Sequence, residues 1–153
     1  MATKEFPDAP FTEGSLSAKI CFIGEAPGED EEINRSAFAG KAGRELQRLC
    51  SSAGIVTTAC RYENVLQFRP DNNNITPYIK FGTSKVTTSP EFDAAVEQLK
   101  IRLEASGANV FVPMGRVAMY ALTGLLAVVK QRGSIIPSTL VPGRKRIPTI
   151  HPS

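Results

Sequence analysis

The residues best suited to chemistry are few and unevenly spread. Glu25, Glu29, Asp30, Glu31 and Glu32 crowd the stretch "GEAPGEDEE"; Phe38 follows between small residues, Asn64 interrupts an apolar run, and the single histidine is His151. A carboxylate can stabilise a cation or orient water. An amide side chain offers a donor and an acceptor side by side, and an aromatic face can stack on a planar ring. An imidazole N–H can steady a developing anion. Each residue also has a plain structural reading. The acids fit a solvated strand-to-helix turn, Phe38 a core plug, and Asn64 a partner for a neighbouring backbone group. "GEAPG" is neither a GxGxxG fingerprint nor a phosphate loop, since no GK[ST] follows it. Cys21, Cys50 and Cys60 are odd in number and far apart, which argues against a disulfide framework. They lack CxxC-type spacing, so no metal site is predicted.

These residues need elements to position them. "KICFIG" reads as a buried strand ending at Gly24. "AGRELQRLCSSAGI" carries Ala42, Leu46, Leu49, Cys50 and Ala53 on one helical face, with Gly54 placed to cap its end. "YENVLQF" is the second strand. The polar segment Asp71 to Pro90 is long for a loop and encloses a short hairpin around "YIKFGTSKV". Ser89 and Pro90 open a helix on Phe92, Ala95, Val96, Leu99 and Leu103. "NVFVPMG", the helix "RVAMYALTG", a turn at "VPGRK" and the strand "RIPTI" complete the order. Strands alternating with helices predict a three-layer α/β/α sandwich with a central, mainly parallel, four-stranded sheet. Residues 1–18 form an irregular arm and residues 19–153 the domain. The end at "HPS", with no element completed, predicts a domain truncated at its C-terminus. In such sheets sites lie where strand ends open into loops, so "GEAPGEDEE", "NVLQFRP" and "HPS" are predicted to share one rim.

With 153 residues, 42% of them hydrophobic and 22% charged, the chain has the make-up of one globular domain. A net charge of +3 is compatible with a polyanionic partner without specifying one. The N-terminus has no apolar signal core, and the longest mostly apolar stretch, Val117 to Val129, is too short to cross a bilayer. A cytoplasmic or nucleoid-associated protein, phage-encoded as one alternative, without a membrane partner is predicted, and a monomer.

Taken in order, "GEAPGEDEE", Phe38, "GKAGREL", "NVLQFRP", "VPMGRVAMYALTG" and "IPTIHPS" resemble the uracil-DNA glycosylase superfamily, most closely its family 4 branch and related phage polymerase proteins. The resemblance runs from about Ile20 to Ser153. It implies an enzyme that flips uracil out of DNA and hydrolyses its N-glycosidic bond without ligating a metal for catalysis. Gly24, Glu25, Ala26, Pro27 and Gly28 would wall the pocket. Glu25 and Glu31 match the motif carboxylates that position or polarise water near the sugar. Phe38 would stack on the base, Asn64 would pair with its edge, and His151 would donate to the oxygen on which charge grows. Pro152 and Ser153 would begin the loop that presses into the minor groove, and Arg69 and Arg116 would meet phosphates. A DNA- or polymerase-binding module of the same fold, or a glycosylase for another deaminated base, are the alternatives.

One departure stands out. Family 4 proteins hold an iron–sulfur cluster on four cysteines. Here the arm before Lys19 has none, Phe68 takes the third position, and alanines in "FDAAVEQL" lie near the fourth. No cluster is predicted. Ala26 also stands where sister families carry an aspartate, which leaves the water-activating group open.

Overall fold

A computed structural model describes residues 6–124, 136–137, 140–141 and 143–147. Along the chain run β1 (Ile20–Gly24), α1 (Glu29–Asn34), α2 (Lys41–Ser52), β2 (Arg61–Asn64), β3 (Ile79–Phe81), β4 (Val86–Thr88), α3 (Pro90–Ala105), β5 (Val110–Pro113), α4 (Arg116–Thr123), β6 (Ile136–Pro137) and β7 (Lys145–Arg146). The main sheet has the order β2-β1-β5-β7-β6. β1 lies at its heart, parallel to β2 with Gly24 opposite Asn64, and parallel to β5 with Ile20 opposite Val110.

The sheet is mainly parallel, as expected, but not four-stranded: β2, β1 and β5 form its full-length parallel part, the two-residue β7 adds to β5 in parallel, and β6 makes an antiparallel edge. Of the strand expected at "RIPTI", Arg146 lies in β7 and residues 148–150 lie outside the described residues. A two-residue strand ending in Pro137 has no periodicity to read, so β6 was not expected.

Alternation along β1 sorts the two faces. Cys21 and Ile23 enter a core with Phe92, Leu99 and Leu103 of α3 and Val117, Ala118 and Leu122 of α4. Phe22 enters a smaller core on the opposite face with Leu46 and Cys50 of α2, Cys60 and Met114. The result is a helix–sheet–helix sandwich. Each fully buried side chain such as Leu99 or Phe92 contributes about 1.5–3 kcal/mol through loss of apolar surface from water.

Local chemistry sets the helix ends. The Ser89 hydroxyl accepts from the Phe92 N–H at 3.1 Å and Pro90 occupies the first turn, so α3 begins where its cap lies. Gly54 follows α2 at φ +76°, which favours glycine. On that helix Leu46 and Cys50 are buried while Leu49, expected inside, is 45% exposed. The acidic run contains α1, which the sequence reading missed. It buries no residue, so it has no apolar period, and its four acids instead meet the positive end of the short helix.

β2 is shorter than "YENVLQF" suggested. It stops at Asn64, although Val65 and Leu66 still donate to the carbonyls of Gly24 and Glu25 at 2.9 and 3.0 Å. The expected hairpin within residues 71–90 is β3 paired with β4, Ile79 opposite Thr88. Its Phe81 meets Tyr120 of α4 edge-on, ring centroids 6.2 Å apart. Residues 6–18 contain neither helix nor strand. They are tied down all the same: Phe11 and Thr12 are buried, and Glu13 bridges to Tyr62.

Candidate functional site

Gly24 closes β1 and Asn64 closes β2, and the parallel register sets them side by side. A Cβ added at Gly24 would stand 2.9 Å from Asn64 Oδ1 and 3.0 Å from Phe38 Cζ. The sheet therefore brings together three residues that are 14 or more positions apart in the chain. Phe38 also leans on Tyr62, with centroids 5.6 Å apart, beside a cavity of about 200 Å³ lined by Glu13, Gln47 and Thr57 among others.

Asn64 is 2% exposed and its amide is held firmly. Nδ2 donates to the carbonyls of Phe11 at 3.2 Å and Ala37 at 3.3 Å. Two carbonyls on one side of the amide fix which end is nitrogen. Both of its protons are spent, so the function left toward Gly24 and Phe38 is the oxygen alone, where the sequence reading expected donor and acceptor together.

The acidic loop divides its labour. Glu25 is partly buried, and that burial pushes its carboxyl above the ordinary 4.5 while the Arg116 guanidinium pulls it back. Glu31 is committed to backbone. One of its oxygens accepts from Gly28 N–H at 3.0 Å, the other from Gly40 N–H at 2.6 Å and Ala39 N–H at 3.1 Å. Its carboxylate thus closes the loop that carries Phe38. Pro27 is buried and Ala26 packs against the larger core.

The two arginines expected at phosphates are placed differently from each other. Arg69 is engaged, its Nε donating to Asn73 Oδ1 at 2.9 Å and its Nη1 lying 3.7 Å from Glu32 Oε1. Arg116 is exposed, 4.2 Å over the Phe81 ring. His151, Pro152 and Ser153 lie outside the described residues.

Beneath Asn64 is a group the sequence reading missed. Arg61, Glu63 and Arg102 are at most 4% exposed. Glu63 accepts from Arg61 at 3.1 Å and from Arg102 Nε at 2.9 Å, and Arg102 also reaches the Asn64 carbonyl at 3.3 Å. Burial raises the Glu63 carboxyl, and the guanidiniums of Arg102 and Arg61 oppose it. The signal was present: "RYEN" puts two charges at alternate strand positions, on one face of a buried strand.

The class is thus an α/β domain whose candidate groups gather at the carboxyl rim of parallel strands. The uracil DNA glycosylase superfamily model matches residues 11–153, and the chain belongs to that superfamily. A type-4 uracil-DNA glycosylase of Thermotoga maritima is 34% identical over 144 residues, 92% of this chain and 68% of that protein. A second, from Archaeoglobus fulgidus, is 35% identical over 105 residues, 69% of this chain and 47% of the relative. A DNA polymerase of Bacillus phage SP01 is 27% identical over 98% of this chain, which matches only 15% of the polymerase.

The donor set does not fit the iron–sulfur cluster that the family 4 resemblance implies. Phe68 lies against Tyr78, centroids 5.2 Å apart. Phe68, Phe6, Pro7, Ala94, Ala95 and Ile101 are among the residues lining a hollow of about 410 Å³. Thiolates are what such a cluster needs, and none lines this hollow. All three cysteines are buried elsewhere, Cys21 on one face of the sheet and Cys50 and Cys60 on the other. Burial raises all three thiols.

Proposed function

We propose that this domain is a monofunctional DNA glycosylase that hydrolyses the N-glycosidic bond of uracil in DNA, as the first step of base excision repair. The observation that carries this reading is the meeting of Gly24, Phe38 and the Asn64 oxygen at one rim. A flipped uracil stacks on Phe38, a contact worth about 1–3 kcal/mol. Its N3–H donates to Asn64 Oδ1. Glycine at position 24 leaves the space a Cβ would take.

Bond cleavage leaves negative charge on the base and positive charge on the sugar. His151 donates an N–H to the growing anion, and Glu25 as carboxylate steadies the cation or orients the attacking water. Pro152 and Ser153 lead into the groove, and Arg116 and Arg69 meet phosphates. No lysine has a part in this scheme, so no covalent imine forms. The domain works as a cluster-free, cytoplasmic monomer.

The test is incubation with a uracil-containing oligonucleotide, followed by alkali to cut abasic sites. Cleavage is expected, lowered about 10²–10³-fold by His151→Ala and strongly reduced by Asn64→Ala. The similarity to a phage DNA polymerase favours a second reading, a non-cutting DNA- or polymerase-binding module. Uracil-DNA binding without cleavage selects it.

A further inference from the structure

Gln67 stands three residues beyond Asn64, and neither the sequence motifs nor the scheme above gives it a role. Its side chain grips the arm and the strand end together. The Phe11 N–H donates to Gln67 Oε1 at 2.7 Å, and Gln67 Nε2 donates to the Asn64 carbonyl at 3.0 Å. Phe11 is the residue whose carbonyl receives Asn64 Nδ2 at 3.2 Å. The connections form a closed ring: Gln67 pins the Phe11 peptide, Phe11 orients the Asn64 amide, and Gln67 holds the backbone of Asn64 itself.

We propose that Gln67 is a positioning residue that locks the Asn64 amide with its oxygen toward the base, and so makes the site demand a ring N–H on the base edge. The reasoning is geometric. Residues 6–18 contain no helix or strand; Phe11 is anchored by its own burial, by the Glu13–Tyr62 bridge two residues on, and on its N–H by Gln67. Of the hydrogen bonds to the Phe11 peptide, that from its N–H to Gln67 is the shortest, and the bond from Gln67 Nε2 to the Phe11 carbonyl is long, at 3.5 Å. Without that pin the Phe11 carbonyl is held less closely, the Nδ2 bond to it weakens, and the amide turns over more readily although the Ala37 carbonyl still accepts from it. A turned amide presents a donor to uracil N3–H, and two donors repel.

This inference rests on the uracil reading, and its primary test does not. In the whole chain labelled with 15N, the Asn64 side-chain amide protons are followed by nuclear magnetic resonance. Both are expected to exchange slowly with water and to show coupling across hydrogen bonds to the Phe11 and Ala37 carbonyl carbons. Gln67→Leu removes the pin and should speed exchange by about tenfold, the worth of one such bond. Gln67→Glu keeps the acceptor for Phe11 N–H but, when ionised, turns its second oxygen on the Asn64 carbonyl in place of the Nε2 donor. Compared with the unsubstituted chain at each pH, it should lose protection when ionised and regain it when protonated, with an O–H where Nε2 stood. Absence of coupling to Phe11 in the unsubstituted chain, unchanged protection in Gln67→Leu, or a Gln67→Glu loss that does not reverse on protonation overturns the proposal. The wild-type measurement stands even where Gln67→Leu fails to fold. With uracil-DNA as substrate, kcat/KM should fall about tenfold in Gln67→Leu. A wild-type chain that shows the locked amide but cuts no uracil-DNA retires the activity and leaves the lock intact.

Discussion

Gly24 and Asn64 are register partners at the ends of adjacent parallel strands, and a methyl group on the first would lie 2.9 Å from the side-chain oxygen of the second. Gly24→Ala therefore pushes on the Asn64 oxygen and on the Phe38 ring at the same time. The fold should survive, because overpacking of this size costs about 1–3 kcal/mol. Uracil excision should drop far more than stability. Thermal unfolding and single-turnover cleavage, measured on the same sample, separate the two effects.

Phe38 and Asn64 should differ in what their loss does. Phe38→Ala removes a stacking face worth about 1–3 kcal/mol, a loss of roughly 5–150-fold in activity. Asn64→Asp replaces a donor whose two protons are already taken by the Phe11 and Ala37 carbonyls. A carboxylate there faces two carbonyl oxygens that it cannot satisfy. We expect Asn64→Asp to lose stability by about 1–3 kcal/mol as well as activity, whereas Phe38→Ala loses mainly activity. Urea unfolding of both variants checks the contrast.

Glu25 carries a pH dependence. Burial raises its carboxyl above the ordinary 4.5, with the Arg116 charge opposing. The folded chain therefore holds this proton at pH values where the unfolded chain has released it. Stability from this group is fully present below 4.5 and is lost as pH rises through the folded value. Glu25→Gln should thus be more stable than wild type at neutral pH, with the advantage gone below 4.5. Activity runs the other way, since the charged form is the useful one: the acid limb of the rate profile should start above the usual carboxylate range. Arg116→Gln should move that limb to higher pH. Melting temperatures and cleavage rates between pH 4 and 8 read both signs.

What the sequence disclosed depended on whether a signal was local. The strand at β1, the Ser89 cap of α3 and the hairpin within the polar segment all follow from neighbouring residue types. The convergence of Gly24, Phe38 and Asn64 was legible only through a family resemblance, because no spacing rule joins a turn, a loop aromatic and a strand amide. The orientation of that amide was not legible at all. It depends on the carbonyls of Phe11 and Ala37, which are main-chain atoms and leave no mark in the side-chain order. The partners of Glu31 were illegible for the same reason: they are three backbone N–H groups that only the folded loop assembles.

The buried charges under the site give the last prediction. Glu63 is fully buried between Arg61 and Arg102, and Arg102 also holds the carbonyl of Asn64. Glu63→Ala strands two guanidiniums, one of them with only the Gly14 and the other with only the Asn64 carbonyl left as partner. Breaking a buried ion pair from one side costs about 3–5 kcal/mol. Replacing all three by apolar residues of similar size removes the desolvation penalty together with the attraction, so Arg61→Met, Glu63→Leu and Arg102→Met combined should be close to wild type in stability. Activity separates the two possible duties of the group. If it only fills space, the triple variant cuts uracil-DNA normally. We expect it to be slower, because Arg102 no longer fixes the backbone that carries the reading amide. Denaturant midpoints and kcat/KM for the single and triple variants decide the matter, and a stable triple variant with full activity would remove the ionic group from any part in the site.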